Sequence, residues 1–410
     1  MKGRIGAGSL LSTEHRLLLV LSGDRTTDDH LIALIRSGVN WNALLALAER
    51  ERASSELYRR VRHLLGVEVP PATLSALQRM AMVSDFEMLH LEQCLRETLD
   101  VLATANVRVM MLKGAALAYS AYGGAFARRP MSDIDLLVDE AAAAGVQRQL
   151  LAGRWKRTAA PVGDEVYDDH HHLPPLRDAR GSGVHLELHT ALFAKGHPFG
   201  LTPEALWAQA RPLASAVPAG ASAASTAFLP SLSHQLLHTC LHFAWSHAMK
   251  FGAWRTFRDV GAILATEQID WDAFVPLARQ SRASTACYWT FRLAQVAADI
   301  RVPPEVEQAL SPPRPTAYLR GLERHYLLNL FPASQACPSV QLDRALWDLG
   351  MLPGWSGHGE IRPWDQDADF LPPDDAAHPR TRQRRLQQLL ESTRYIRALV
   401  GLGRLARAKS

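Results

Sequence analysis

The chain has 410 residues, of which 47% are hydrophobic and 21% charged, with a formal net charge of +4, as in ordinary soluble globular proteins of two or three domains. No apolar run approaches the roughly 20 residues that span a bilayer and no signal peptide is evident, so we expect a cytoplasmic protein without a membrane span. The cysteines, which are far apart and form no Cys-x-x-Cys motif, indicate neither a disulfide framework nor a cysteine-based zinc site: Cys94, Cys240, Cys287 and Cys337.

The first hundred residues are predicted to be helical. Apolar residues recur at helical spacing after residue 40, at Trp41, Leu44, Leu45, Leu47 and Ala48. Pro70 and Pro71 interrupt this pattern, and a long helix is then predicted from about residue 73 to residue 103. We therefore predict an N-terminal helical region over residues 1–104.

Short strands replace the helices near residue 107. Strands are predicted over 107–112 and 131–138, with a helix of small residues (115–122) between them and an alanine-rich helix (140–151) after them. Two further strands flank a turn at 178–183, and the second ends at His189. This order predicts a small mixed β-sheet with helices on it, over residues 105–213.

The rest of the chain is predicted to be mostly helical. Residues 214–226 are small and form a candidate linker. Residues 231–265 and 271–298 are predicted helices of a C-terminal helical domain (227–345), followed by a proline-rich loop (346–379). The expected fold class is α+β, with a small mixed sheet between N-terminal and C-terminal helical regions.

The last segment, residues 380–410, is a basic tail. It carries nine basic residues and the single acid Glu391, a charge of +8 that leaves about −4 for the remainder. Any attraction to an anionic partner is therefore expected from the tail. Its apolar residues follow helical spacing and predict an amphipathic helix, which either makes an accessory contact or docks on the helical body: Leu386, Leu389, Leu390, Thr393, Ile396 and Val400. Aromatic and basic residues are not interleaved as in nucleic-acid-binding proteins, so nucleic acid is not an expected partner.

The strand at 131–138 carries two acids one residue apart. Side chains alternate faces along a strand, so Asp133 and Asp135 share a face, about 6.5 Å apart at about 3.3 Å per residue. Oxygen ligands at this separation suit Mg²⁺ (or Mn²⁺), which in turn holds nucleotide phosphates. Asp365, Asp367 and Asp369 repeat the spacing without apolar alternation, and we interpret them as a solvated loop.

A second strand repeats this arrangement near residue 187. His185, Glu187 and His189 alternate with apolar residues and share a face. If the two strands are neighbours, Glu187 joins the Asp pair, and a divalent cation would offset the repulsion among three carboxylates. The alternative is a sheet with one polar face in water, and spacing alone leaves both open.

Several motifs together resemble an uncharacterised bacterial nucleotidyltransferase family of the polymerase-beta-like superfamily, over roughly residues 40 to 300. The matching segments are 112–114, Arg129, 132–138, 171–176 and 187–189, flanked by Trp41, 236–238, 242–243 and Asp259. Three features depart from the family pattern: Ala115 follows Gly114 where the superfamily has Gly or Ser, the spacer before Asp133 is longer, and Glu187 stands where Asp is frequent.

The resemblance implies that a nucleotidyl group passes from a nucleoside triphosphate to an acceptor, with pyrophosphate leaving. Asp133, Asp135 and Glu187 would then be catalytic residues and metal ligands. Phosphate contacts are implied for Lys113, Gly114, Arg129 and Ser132. A modified peptide, a sugar or a protein are candidate acceptors, from natural-product or polysaccharide biosynthesis. The alternative is an inactive scaffold or nucleotide sensor that keeps the fold.

Histidines are the remaining candidates. His170, His171 and His172 are consecutive, and on a strand they would alternate faces and could not all bind one ion. We therefore expect His171, together with His189, to line the acceptor pocket. His238 and His242 are one helical turn apart, but Thr239 stands where a zinc protease has Glu, so we assign them to packing.

Overall fold

The computed structural model describes residues 10–23, 27–158, 167, 170–216, 226–266, 269–332, 336–352 and 382–401. The repeated acids at 365–369 and most of the predicted proline-rich loop lie outside these ranges. Within these ranges, five helices form the N-terminal region: α1 (Thr13–Val20), α2 (Asp28–Arg36), α3 (Trp41–Arg50), α4 (Ser54–Val61) and α5 (Pro71–Thr104). The N-terminal helices of the expected fold class are confirmed, and Pro71 at the first position of α5 suits a residue without a backbone N–H.

A seven-stranded mixed sheet follows, as the fold class predicted. Its strands are β1 (Val109–Met111), β2 (Asp133–Leu137), β3 (Trp155–Arg157), β4 (Leu176–Asp178), β5 (His185–His189), β6 (Arg211–Pro212) and β7 (Ala227–Leu229). Their order is β3-β4-β5-β2-β1-β7-β6. The β2–β5 and β1–β7 pairs are parallel, and the other neighbours are antiparallel. Strand β7 extends the sheet beyond the candidate linker.

The two faces of the sheet enter different cores. Ile134 and Leu136 of β2 and Leu186 and Leu188 of β5 are buried in a core shared with α5. Helices α6 (Lys113–Ser120) and α7 (Glu140–Leu151) complete this layer. Alternate residues on the opposite face, such as Met110 and Leu137, are buried in the larger core that the N-terminal and C-terminal helices form. Because side chains alternate along a strand with a period of two residues, the acids of β2 and β5 lie on the face toward the N-terminal and C-terminal helices.

The C-terminal helices are α8 (Pro203–Ala208), α9 (Leu232–Leu241), α10 (Ala253–Thr266), α11 (Trp271–Gln280), α12 (Ser284–Ala298), α13 (Pro304–Leu310), α14 (Thr316–Leu328) and α15 (Val340–Met351). The continuous helix predicted over 231–265 is wrong. A π-helical turn (His242–Ser246) ends α9, and positive φ angles of 47° at Ala248 and 59° at Met249 reverse the chain before α10. Such angles are incompatible with a continued right-handed helix.

The tail contains the predicted helix, α16 (Arg382–Val400). It contacts α14 through a face that the sequence did not indicate. Leu399 is 5% exposed, and the Tyr395 hydroxyl lies 2.9 Å from His325 Nδ1. The predicted apolar stripe instead remains exposed, with Leu389 63% accessible. The alternative that the tail docks on the helical body through that stripe is therefore wrong. Contact of the tail with an anionic partner stays a prediction. Among the described residues, no helix is both long and apolar enough to cross a membrane.

Candidate active site

The acids of β2 and β5 meet on one face of the sheet. The parallel register pairs Asp135 with Glu187 and Asp133 with His185. Asp135 is only 2% exposed, so this face is not simply a polar surface in water. The two strands are therefore neighbours, which is the condition under which Glu187 joins the Asp pair.

Basic side chains surround Asp135. Lys113 Nζ donates a hydrogen bond to Asp135 Oδ1 at 2.7 Å and lies 3.9 Å from Glu187 Oε2. His189 Nε2 lies 2.8 Å from Asp135 Oδ1 and 3.4 Å from Glu187 Oε2. The site therefore combines two carboxylates, an ammonium and an imidazole within direct contact.

These contacts move the pKa values of the two aspartates apart. Burial alone would raise the pKa of Asp135, but Lys113 and His189 hold it well below the usual range. Burial and the charge of Asp135 raise the pKa of Asp133. Burial and Lys113 disfavour an imidazolium at His189, yet its hydrogen bonds to the two carboxylates raise its pKa overall. Opposed shifts in adjacent acids are characteristic of functional sites.

The donor set fits a divalent cation. One ligand atom each from Asp135, Glu187 and His189 lies within 4.8 Å of the others. Asp133 is not in this group, but it lies two residues before Asp135 on the same face of β2. Carboxylate oxygens are the ligands that Mg²⁺ and Mn²⁺ prefer. Of the predicted ligands, this group contains Asp135 and Glu187, and it adds His189.

The start of α6 brings Lys113 and Gly114 to the acids. Lys113 has a φ of 46°, which is unusual for a residue with a side chain. A Cβ atom at Gly114 would lie 2.9 Å from Met131 Sδ and 3.5 Å from Arg129 Nη1. Glycine here lets the α6 terminus approach the segment that precedes β2.

Arg129 lines the site but is held by an acid. Its Nε donates to both carboxylate oxygens of Asp259, at 2.7 and 2.9 Å, and Tyr122 donates to Asp259 at 2.8 Å. In the sequence, Asp259 is only a flanking match to the family pattern. The predicted phosphate contact of Arg129 stays a prediction. Ser132 is exposed and lines the same cavity as Arg129.

A cavity of about 220 Å³ lies between the sheet and the C-terminal helices. Lys113, Asp133 and Asp135 line its floor. Its other wall carries histidines and an arginine: His234, His238, His242, His247 and Arg255. Glu187, His171 and His189 are not among the lining residues, so the predicted acceptor contacts of the two histidines stay predictions.

The one-turn spacing of His238 and His242, assigned above to packing, is the one feature of this wall that is visible in the sequence. Burial lowers the pKa of His238 to about 3 and that of His247 to about 4. Both rings are therefore neutral at pH 7. Burial also lowers the pKa of Arg255, with Arg129 adding repulsion and Glu51 and Asp133 opposing it. No hydrogen bond within the described ranges engages the Arg255 guanidinium, and nothing in the sequence distinguished this residue from other arginines.

The three consecutive histidines do not lie on a strand. Residues 170–172 form a bend that meets β5 at a single bridge between His172 and His189. Their ring centroids lie between 4.3 and 4.9 Å apart, and one ligand atom of each lies within 4.8 Å of the others. The expectation that the three side chains point to alternate faces is wrong, because such alternation applies only to an extended chain.

Comparison with known proteins adds a family. A family described as an uncharacterised nucleotidyltransferase matches residues 37–299, more than half of the chain. No curated protein matches the chain, and no solved structure does.

Proposed function

The chain belongs to this uncharacterised nucleotidyltransferase family, and from that premise we propose that it transfers a nucleotidyl group from a nucleoside triphosphate to a nucleophilic acceptor, in a reaction that requires a divalent metal. The observation that carries the proposal is the cross-strand pair of Asp135 and Glu187, with Asp133 beside it at the floor of the cavity. A buried acidic cluster of this kind costs folding free energy unless cations offset it. Lys113 and His189 offset it in the protein alone, and a bound cation would add to that compensation.

Asp133, Asp135 and Glu187 would hold Mg²⁺ or Mn²⁺. When bound, the metal would neutralise charge on the triphosphate and stabilise the leaving pyrophosphate. Lys113 would then exchange part of its contact with Asp135 for phosphate oxygens, since its Nζ lies at the cavity floor. His189 would orient the Asp135 and Glu187 carboxylates through Nε2, at 2.8 and 3.4 Å.

The triphosphate would lie between the start of α6 and Arg255. Gly114 keeps the backbone at the α6 start free of a side chain, and helix starts favour anions. Arg255 offers a guanidinium without a hydrogen bond to the described residues, and guanidinium groups bind phosphate in bidentate fashion. The cavity of about 220 Å³ is smaller than the roughly 300–1,000 Å³ typical of small-molecule sites. The nucleoside would therefore extend from its mouth.

Glu187 would act on the acceptor. Its position on β5, apart from the cavity floor, suits a base that takes the proton of an attacking hydroxyl or amine at a carboxylate oxygen. The acceptor is proposed as a modified peptide, a sugar or a protein. The neutral histidines of the cavity wall would donate and accept hydrogen bonds to uncharged polar groups of the nucleoside or the acceptor.

The test is transfer of label from each of the four α-labelled nucleoside triphosphates, with Mg²⁺ or Mn²⁺ and a lysate of the source organism as acceptor. The wild type should incorporate label, whereas Asp133→Asn and Glu187→Gln should each lose it. Asp139→Asn is the matched control, because Asp139 follows the same strand but is exposed. Transfer retained by Glu187→Gln would contradict its role. Metal-dependent nucleotide binding without transfer from any triphosphate would indicate a nucleotide sensor instead.

A further inference from the structure

A second cluster of metal-binding side chains lies beside the carboxylates. The bend at residues 170–172 brings three imidazoles together, with one ligand atom of each within 4.8 Å of the others. The rings of His171 and His172 lie 5.2 and 5.4 Å from the ring of His189. The cluster is therefore adjacent to the proposed catalytic acids but is made of a different kind of ligand.

We propose that His170, His171 and His172 bind one divalent transition-metal ion, with Zn²⁺ as the best match to the ligands. Imidazole nitrogen suits Zn²⁺, Co²⁺, Ni²⁺ and Cu²⁺, whereas Mg²⁺ prefers oxygen. Three protein ligands leave one tetrahedral position for water or for an atom of a substrate, as in zinc sites with His₃ ligation.

The hydrogen bonds of the cluster suit this role. His172 Nδ1 lies 2.8 Å from the backbone oxygen of Leu173, so Nδ1 carries the proton and Nε2 has the free lone pair. Metal-binding histidines characteristically donate their second nitrogen to a carbonyl or carboxylate in this way. The same Nε2 lies 4.0 Å from Glu187 Oε2, which places the ion next to the proposed catalytic site.

Unsatisfied nitrogen atoms supply an independent indication. His171 Nδ1 and His189 Nδ1 are both buried and have no hydrogen-bond partner among the described residues. His189 is 1% exposed, and its other nitrogen is occupied by Asp135. A buried polar atom without a partner costs free energy comparable to a lost hydrogen bond. An ion ligated by His171, with its bound water beside His189, would satisfy both atoms.

The test uses Co²⁺ as a spectroscopic probe of the full chain after metal removal with a chelator. We expect one tightly bound Co²⁺ per chain, with the intense visible absorption of a tetrahedral nitrogen-ligated ion. An excess of Mg²⁺ should leave the absorption unchanged, and one equivalent of Zn²⁺ should remove it. Absence of the bands, or their loss on addition of Mg²⁺, would overturn the proposal.

Variants locate the ion. His171→Gln should weaken Co²⁺ binding by at least about 10-fold, the loss that even an outer partner of a metal site causes. His63→Gln is the matched control, because His63 is exposed. Glu187→Gln should retain the bands, and their loss in that variant alone would place the ion at the carboxylates and refute the proposal. The wild-type titration decides the question even if His171→Gln fails to fold, and none of these readings depends on nucleotidyl transfer.

Discussion

At the scale of single residues, Lys113 supplies a positive charge among the acids. Its ammonium is within 2.7 Å of Asp135 and 3.9 Å of Glu187. Burial disfavours the charged amine, but Asp135, Glu187 and Asp133 raise its pKa above the ordinary value. In the protein without substrate, the Lys113 ammonium thus offsets the charge of the acids, and a bound Mg²⁺ would compete with it for the same oxygens.

Lys113→Met should therefore separate the structural and ligand-binding roles of this pair. Leaving Asp135 without its ammonium partner should cost about 3–5 kcal/mol in the free energy of unfolding, measured by urea denaturation without metal. Mg²⁺ should restore part of that loss. Lys250→Met is the matched control, since Lys250 pairs with the buried Asp343 and neither residue lines the cavity. It should also destabilise the protein, but Mg²⁺ should not restore it. Equal Mg²⁺ responses in the two variants would contradict the account.

At the scale of secondary-structure elements, α16 docks through a narrow face. Leu399 is buried, Arg324 Nη1 donates to its backbone oxygen at 2.9 Å, and Tyr395 reaches Asn329 at 2.9 Å. These contacts recur at helical spacing on the side opposite the exposed leucines. The tail helix is thus anchored to α14 and leaves an apolar face uncovered by the described residues.

Substituting one leucine on each face tests this docking. Leu399→Ala should destabilise the protein by about 2–5 kcal/mol, as for large-to-small changes at buried sites. Leu389→Ala should change stability by no more than about 0.5 kcal/mol, because Leu389 is 63% exposed. Thermal melts and protease sensitivity of residues 382–401 provide the measurements. The reverse order of the two effects would show that the leucine stripe is the docking face.

An ion pair between Arg154, just before β3, and Asp178, the last residue of β4, makes stability depend on pH. Burial alone would raise the pKa of Asp178, but two hydrogen bonds from Arg154, at 2.8 and 3.2 Å, hold it well below the usual range. A lowered native pKa contributes stability above the unfolded value of about 3.9, and this contribution is lost as pH falls. Asp178→Asn should cost about 3 kcal/mol at pH 7. The difference from wild type should shrink below about pH 4, and a constant difference would refute this assignment.

Local regularity explains which elements were predictable. Alternation placed the acids of β2 and β5 on one face because the pleat requires it, and periodicity located α7 at the predicted residues 140–151. Strands β6 and β7, of two and three residues, are too short for any period to be visible. The partners of Asp135 and Arg129 depend on contacts across 22 and 130 positions. Such contacts leave no mark on local spacing.

At the scale of the whole molecule, side-chain hydrogen bonds hold the sheet and the C-terminal helices on either side of the cavity. Asp259 of α10 binds Arg129 just before β2 and Tyr122 just after α6. On the same helix, Arg258 donates to Glu56 of α4 at 2.9 Å. Helix α10 therefore connects the N-terminal helices, the sheet and the cavity wall that carries Arg255.

Asp259→Asn should weaken this connection. It removes the charge that neutralises the partly buried Arg129 guanidinium, so we expect a loss of about 3 kcal/mol in stability together with weaker nucleotide binding. Asp272→Asn, at an exposed position in α11, is the control and should be neutral within about 0.5 kcal/mol. Calorimetry and nucleotide titration of the two variants provide the measurements. A destabilised variant with unchanged nucleotide affinity would show that α10 does not position the site.

The most direct test of the central claim is ligand-dependent thermal stability of the wild type, Asp133→Asn and Asp139→Asn, with Mg²⁺ and each of the four triphosphates. Asp133 has a raised pKa and does not pair with Lys113 in a hydrogen bond, so Asp133→Asn should leave the metal-free protein as stable as wild type. Wild type and Asp139→Asn should gain about 2.7 kcal/mol from a triphosphate present at 100 times its dissociation constant, and only with Mg²⁺. Asp133→Asn should gain nothing. No gain in the wild type with any triphosphate, or an equal gain in Asp133→Asn, would contradict a metal-dependent nucleotidyltransferase site at these acids.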